Sequence, residues 1–212
     1  SGSLTISGAL TKTLTGGRLN ALHLQLPAPD GAVFFLHGNA GNLESWFVNT
    51  GLYRALNLDL VMIDYRGYGK SPGRIESQAQ LEADVRAAWA AVALRYAGLR
   101  RVIVGRSLGT GLAASLAAEV QPELTVLVSP FESMTALAGE IYPWVPSALL
   151  RYPLRTDQAL PRIRGPVWMA HGARDDVIPP QHAERLLTRA PQAQLLRVAG
   201  AGHNDIHEFE PY

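Results

Sequence analysis

The predicted fold of this chain is decided by the stretch Val102-Ile103-Val104-Gly105-Arg106-Ser107-Leu108-Gly109-Thr110-Gly111. A short β-branched run leads directly into Gly-Arg-Ser-Leu-Gly, and an Ala/Leu-rich helical pattern follows it. This order predicts a strand, a sharp turn and a helix, the setting in which a Gly-x-Ser-x-Gly motif presents a nucleophilic serine. Because a Cβ two positions before or after the serine would clash in so sharp a turn, Gly105 and Gly109 are expected to be needed as glycines. Ser107 is then expected in a strained conformation at the carboxyl end of a sheet, with the N-terminus of the next helix facing it.

Strand and helix patterns alternate along the chain on both sides of this motif. An apolar–polar alternation around Gly16-Gly17 predicts an N-terminal hairpin over residues 3–14 and 18–26. Largely apolar runs predict buried strands over residues 32–36, 59–64, 102–104, 124–129, 166–170 and 193–199. Helical patterns are found over residues 43–57, 76–96, 108–120 and 180–190. We therefore predict an α/β fold with a mostly parallel central sheet and helices on both faces.

The composition narrows the class of protein. The chain has 212 residues, of which 47% are hydrophobic and 17% charged, with a net charge of +1 and no cysteine. This length predicts a single domain over residues 1–212, and we interpret the loosened, Pro- and aromatic-rich segment 130–165 as a small cap inserted into it. The near-zero charge gives no reason to expect nucleic acid, and the lack of cysteine excludes disulfides and thiolate metal sites. No window approaches 18 consecutive apolar residues, so no transmembrane helix is expected.

A serine nucleophile needs a base whose pKa lies near the working pH, which points to a histidine. We favour His203, because the flexible loop Ala199-Gly200-Ala201-Gly202-His203 follows the last predicted strand and can bring the ring over the serine. His37 and His171 each open a His-Gly turn at a strand end and are expected to shape that turn by hydrogen bonding. His23 is expected on the surface of a strand, His182 on a surface helix and His207 in the tail.

The acid that orients the base is expected in the loop after the strand 166–170. Adjacent residues in an extended loop point to opposite sides, so only one of Asp175 and Asp176 should reach His203, and we favour Asp175. The oxyanion hole needs two backbone N–H groups. We predict one from Leu108 and the other from Asn39, with Ala40 as the alternative, in the glycine-rich loop after the strand 32–36.

No metal site and no cofactor are predicted. No His-x-x-x-His pair falls on a predicted helix, and the His203–His207 spacing lies in a tail of uncertain structure. The glycines of the Gly105-x-Ser-x-Gly motif do not form a phosphate-binding loop, because the Gly-Lys-Ser/Thr ending is absent.

Further motifs occur in a fixed order from about residue 30 to residue 205. They are His37-Gly38-Asn39-Ala40-Gly41-Asn42, Asp64-Tyr65-Arg66-Gly67-Tyr68-Gly69-Lys70-Ser71, Gly105-Arg106-Ser107-Leu108-Gly109, Ser129-Pro130-Phe131, Tyr142-Pro143-Trp144, His171-Gly172-Ala173-Arg174-Asp175 and Gly202-His203-Asn204-Asp205. Together they resemble the α/β-hydrolase fold, and more narrowly the small-lidded BEM46-like serine hydrolases, a group related to the α/β-hydrolase-domain depalmitoylases. The resemblance implies Ser107 as nucleophile, Asp175 as acid and His203 as base. It also implies an oxyanion hole from Asn39 and Leu108. Members of this family usually continue into a final helix after the histidine loop, whereas this sequence stops at Tyr212, and loss of that helix would expose apolar sheet surface.

These observations lead to the hypothesis of a serine hydrolase that cleaves carboxylic esters or thioesters through an acyl-enzyme. A peptidase or amidase with the same triad, and an inactive hydrolase fold used for binding, are the alternatives. The apolar cap is expected to line an acyl pocket with Phe131, Tyr142, Trp144 and Leu149, or to pack on the helices beneath it.

The expected partner is a small acyl ester or thioester. Peripheral membrane contact, and the choice between a monomer and a weak oligomer, stay open. We expect a cytoplasmic protein if the chain is complete, and a membrane-anchored or exported protein if a leader preceded Ser1-Gly2-Ser3. These first three residues are typical of a cloning scar.

Overall fold

A computed structural model gives the structure of the chain. It describes residues 5–7, 12–14, 17–38, 50–68, 71, 73–140 and 152–208. The chain divides into two compact units, Ser1–Ile103 and Val104–Tyr212. The predicted single domain over residues 1–212 stays a prediction.

The first unit combines antiparallel and parallel strands. Its elements are β1 (Thr5–Ser7), β2 (Lys12–Leu14), β3 (Gly17–Leu19), β4 (Ala21–Gln25), β5 (Gly31–Leu36), α1 (Thr50–Ala55), β6 (Leu58–Ile63), α2 (Gln78–Ala93) and the start of β7 (Arg100–Arg106). The strand order is β1-β4-β6-β5-β7, with β2 and β3 paired separately. The predicted N-terminal hairpin is confirmed, since β2 pairs with β3 and β1 with β4, both antiparallel. β5 runs parallel to β6.

Local sequence explains the best-defined elements of this unit. β6 is buried along its whole length, as its largely apolar run predicts. α2 begins after Ser77, whose side chain accepts a hydrogen bond from the backbone N–H of Gln80 at 3.1 Å and so caps the helix. Leu81, Val85 and Trp89 recur every four residues and are buried on one side of the helix.

The second unit carries a parallel sheet with helices between the strands. Its elements are the end of β7, α3 (Gly109–Val120), β8 (Leu124–Val128), α4 (Met134–Gly139), α5 (Thr156–Ala159), β9 (Val167–Gly172), α6 (Gln181–Arg189) and β10 (Ala193–Val198). The strand order is β7-β8-β9-β10, and β9 runs parallel to both of its neighbours. The mostly parallel α/β fold is therefore confirmed. α4 and α5 lie in the predicted cap, of which residues 141–151 are outside the described part of the chain.

Two histidines that we predicted on the surface are buried, so these predictions are wrong. His23 is 1% exposed, because β4 lies between β1 and β6 and the ring meets Tyr96 at the end of the segment that follows α2. His182 is fully buried, and its Nδ1 accepts the backbone N–H of Glu132 at 3.1 Å. Leu186, one turn after His182, is also buried, which identifies the inner face of α6.

An apolar hollow of about 390 Å³ lies against β8, β9 and β10. Val126, Trp168 and Leu196 contribute to its wall, and Trp168 is 52% exposed.

Among the described residues, no helix is both long and apolar enough to cross a bilayer.

A buried polar chain joins three segments of the first unit. The Tyr96 hydroxyl donates to Asp59 Oδ2 at 2.7 Å, and His23 Nε2 lies 2.6 Å from the same hydroxyl. Burial lowers the pKa of His23, against the opposing effect of Asp59, so the ring is neutral at pH 7 and Nε2 can donate to the hydroxyl. The three side chains thereby satisfy one another inside the core.

Replacing Tyr96 by Phe should therefore destabilise the protein. The variant leaves a buried carboxylate and a buried imidazole without their shared partner, and we expect a loss of about 1–3 kcal/mol in the free energy of unfolding in urea. Leu94→Ala is the control, because Leu94 is 86% exposed two residues earlier and its truncation should change little. Equal stability of wild type and Tyr96→Phe would contradict the role of this chain.

Candidate active site

The turn between β7 and α3 has the geometry that the motif predicts. Ser107 has a φ of +52°, in the left-handed region that a serine rarely adopts. A Cβ at Gly105 would lie 2.6 Å from both the Ala113 Cβ and the Gly109 carbonyl oxygen, so only glycine fits there. The Ser107 backbone N–H donates to the Val128 carbonyl at 2.9 Å, which ties the strained turn to the end of β8.

The structure brings Ser107, His203 and Asp175 together at the carboxyl ends of three strands. His203 Nε2 lies 3.1 Å from Ser107 Oγ, and His203 Nδ1 lies 2.9 Å from Asp175 Oδ2. Asp175 is buried, whereas Asp176 is exposed. The three side chains come from the turn after β7, the loop after β9 and the loop after β10, all within the second unit.

The environment of Asp175 keeps it ionised. Burial pushes the pKa of this carboxyl upward, but hydrogen bonds from His171, His203 and the backbone of Ile178 outweigh burial and hold the pKa well below its ordinary value. A carboxylate can only accept, so His203 Nδ1 carries the hydrogen that faces it. The Nε2 lone pair of a neutral His203 therefore faces Ser107 Oγ, the arrangement of a general base.

Two hydrogen bonds and one close backbone approach position the loop that carries His203. The Gly202 N–H donates to Asp205 Oδ1 at 2.6 Å, and an Arg106 Nη2–H donates to the His203 carbonyl oxygen at 3.1 Å. A Cβ at Gly172 would overlap the Ala201 carbonyl oxygen and lie 2.7 Å from that of Gly202, so this glycine permits the close approach of the two loops. Sequence analysis missed Arg106 and Asp205. Arg106 occupies a variable position of the serine motif, and the one available signal for Asp205 was its spacing of three from Gly202, typical of a side chain that closes a turn.

The two His-Gly turns are shaped by hydrogen bonds, as predicted. His37 Nδ1 lies 2.6 Å from the Gly38 carbonyl oxygen, and His171 Nε2 lies 2.8 Å from that of Ile178. Both rings are buried. The described residues contain no cluster of three or more histidine and carboxylate side chains that could hold a metal ion.

The remaining predicted site residues fall into two groups. Leu108 is buried at the N-terminus of α3, directly after Ser107. Phe131 is fully buried, and its ring lies 3.3 Å from the position that a Cβ on Gly111 would take, in the first turn of α3. The others, Asn39 with its alternative Ala40, Tyr142, Trp144 and Leu149, lie outside the described residues.

Comparison with known proteins assigns the chain to a family. The family model described as alpha/beta hydrolase fold matches residues 31–159, more than half of the chain. The chain belongs to the alpha/beta hydrolase fold family. The predicted membership and fold class are thereby confirmed.

Two curated relatives show how much of a longer protein this α/β hydrolase covers. It is 32% identical over 211 residues to alpha/beta hydrolase domain-containing protein 17B of Xenopus laevis, a match that covers 96% of this chain and 71% of the relative. It is 35% identical over 180 residues to an uncharacterized protein of Mycobacterium tuberculosis, covering 82% of this chain and 63% of that protein. The chain thus spans less than two thirds of the mycobacterial relative.

A solved structure shares the fold of this α/β hydrolase. An alpha-beta serine hydrolase homologue from Coxiella burnetii superposes with a TM-score of 0.74 at 18% identity, over 98% of this chain and 95% of that one. At this level of identity, the match shows the fold alone.

Gly172→Ala should slow the reaction of Ser107 with a fluorophosphonate, a reagent that reacts with activated serines. The new methyl group forces the Ala201–Gly202 segment away from the Asp175 loop, and His203 moves with it. A displacement of about 1 Å at a catalytic group can lower a rate roughly a hundredfold. The measurement is the second-order rate constant of labelling.

Gly139→Ala is the matched control for this substitution. A Cβ at Gly139, the last residue of α4, meets nothing within 4 Å among the described residues. The control should label like the wild type. Normal labelling of Gly172→Ala would show that the close approach of the two loops does not position the histidine.

Proposed function

We propose that this α/β hydrolase cleaves carboxylic esters or thioesters by acyl transfer to Ser107. The observation that carries the proposal is the continuous hydrogen-bonded chain from Ser107 Oγ through both nitrogens of His203 to Asp175, with distances of 3.1 and 2.9 Å. Membership of the alpha/beta hydrolase fold family supports a hydrolase.

In the proposed reaction, His203 acts first as a base and then as an acid. Nε2 takes the proton of Ser107 Oγ as the oxygen attacks the substrate carbonyl, and a tetrahedral oxyanion forms. The imidazolium returns that proton to the leaving alcohol or thiol when the intermediate collapses to the acyl-enzyme. A water molecule, deprotonated by the same nitrogen, then attacks the acyl-enzyme, and Nε2 returns this proton to Ser107 Oγ as the carboxylic acid is released. Asp175 stays ionised and stabilises the imidazolium throughout.

The oxyanion needs donors that are fixed before the reaction. We assign one of them to the backbone N–H of Leu108, because this residue follows the nucleophile at the start of α3, where helix N–H groups point outward. The second donor, Asn39, stays a prediction from the sequence.

The acyl group is proposed to bind under the cap, the segment 130–165 that follows β8 and precedes β9 in the chain. The roles of Phe131, Tyr142, Trp144 and Leu149 in that pocket stay predictions. Since Phe131 is fully buried beside α3, its proposed contact with an acyl chain requires that the chain reach as far as this helix.

Ser107→Ala should abolish hydrolysis of p-nitrophenyl esters. Without the nucleophile no acyl-enzyme forms, and we expect kcat/KM to fall by about 10⁴-fold or more. Wild type is assayed with acyl chains of increasing length, so that the optimum measures the depth of the pocket.

Ser129→Ala is the control for this variant. Ser129 is also buried, also has a positive φ, of +54°, and follows β8 as Ser107 follows β7, but it has no place in the proposed chemistry. The control should retain activity. Full turnover by Ser107→Ala would refute the proposed function, and faster cleavage of matched p-nitroanilides than of the esters would favour an amidase.

A further inference from the structure

His171 faces the same carboxylate oxygen as His203. It lies near the end of β9, four residues before Asp175, and is 1% exposed. Its Nε2 is 3.3 Å from Asp175 Oδ2 and 2.8 Å from the Ile178 carbonyl oxygen. The ring therefore faces two residues of the loop that carries the proposed acid.

The hydrogen-bond partners of His171 decide which nitrogen carries the proton. A carbonyl oxygen only accepts, so Nε2 is the N–H donor toward Ile178 and Asp175. The other nitrogen, Nδ1, is buried and has no hydrogen-bond partner among the described residues. A neutral ring with its single hydrogen on Nε2 fits these surroundings, because an N–H group on Nδ1 would be buried without an acceptor.

With this donor, both oxygens of Asp175 are held by two contacts each. Oδ1 accepts the backbone N–H groups of Val177 and Ile178 at 3.0 and 2.8 Å. Oδ2 accepts from His203 and faces His171. A carboxylate held in this way cannot rotate about its Cβ–Cγ bond without losing several hydrogen bonds, and its orientation sets that of His203.

We infer that His171 is a positioning residue of the proposed triad, which fixes the Asp175 carboxylate and shares its negative charge. The inference rests on the proposed function. It assigns to His171 a role beyond shaping its turn, since a side chain that served the turn alone would need only the bond to Ile178.

The effect on pH dependence follows from the charges around this pair. Asp175 and His203 face His171 on one side. Two further charged groups lie at the His203 loop, Arg106 on the His203 carbonyl oxygen and Asp205 on the Gly202 N–H. Glu184 of α6 and Arg197 of β10 line a groove with His171 on the other, where they pair with each other at 2.7 Å. If the His171 N–H is removed, more of the negative charge of Asp175 acts on His203 and favours its protonated form. Protonated His203 cannot act as a base, so activity should be lost at a higher pH than in the wild type.

The experiment measures the rate at which a fluorophosphonate labels Ser107 between pH 5 and 9. His171→Leu should lower the plateau rate roughly tenfold, as loss of a supporting hydrogen bond does at other sites. It should also move the pH midpoint upward by about half a unit or more. His171→Gln places an amide N–H near the position of Nε2, and should restore both the rate and the midpoint in large part.

His182→Leu is the matched control, because His182 is another fully buried histidine of the same unit, and its polar partners are Glu132 and Glu140. It should lower the melting temperature and leave the pH midpoint unchanged. A separate readout is the proton NMR signal of the hydrogen between His203 and Asp175, which should shift in His171→Leu and return in His171→Gln.

The outcomes separate the inference from the function on which it rests. If wild-type Ser107 is not labelled, the proposed function is wrong and the inference falls with it. If wild type is labelled, and His171→Leu shows the wild-type midpoint and an unshifted proton signal, the inference alone is overturned. The same holds if His171→Leu and His171→Gln are equally impaired, because a donor at this position would then not matter.

Discussion

The hydrogen bond between His203 Nδ1 and Asp175 is the interaction on which the site depends. It fixes the tautomer of His203, and with it the lone pair that faces Ser107. Asp175 can serve this role because it is buried yet fully supplied with donors, which keep it ionised where an unpaired carboxyl would take up a proton. The bond can form because the second unit brings the ends of β7, β9 and β10 close together.

Glycines make that approach possible at two places. Gly105 lets the chain turn sharply enough after β7 to hold Ser107 at a positive φ, and Gly172 lets the loop of His203 pass against the end of β9. At both positions a Cβ would collide with the carbonyl oxygen of a neighbouring residue, so glycine is needed for steric reasons and not for its backbone conformation. Close backbone packing thus surrounds both Ser107 and the Gly200-Ala201-Gly202 loop, and Arg106 adds a hydrogen bond to the His203 carbonyl oxygen.

Sequence reasoning places Ser107, Asp175 and His203 together because each follows a strand, and parallel strands of one sheet deliver their carboxyl ends to the same edge. The alternation of an extended loop predicts that only one of Asp175 and Asp176 reaches His203, and Asp175 is the buried one of the two. The burial of His23 could not be predicted in this way, since alternation along a strand tells which side a residue takes but not what covers it. The contacts of Arg106 with His203 and of His171 with Asp175 could not be predicted for a related reason: they depend on the reach of a side chain across a loop, which no spacing encodes.

The most direct test of the central claim is to trap the acyl-enzyme. The protein is mixed with a p-nitrophenyl ester, quenched in acid within the burst, digested, and analysed by mass spectrometry. The account predicts that the peptide containing Ser107 gains the mass of the acyl group, and that Ser107→Ala gains none. Turnover of the ester without any acyl group on Ser107, or with the group on another residue, would contradict it.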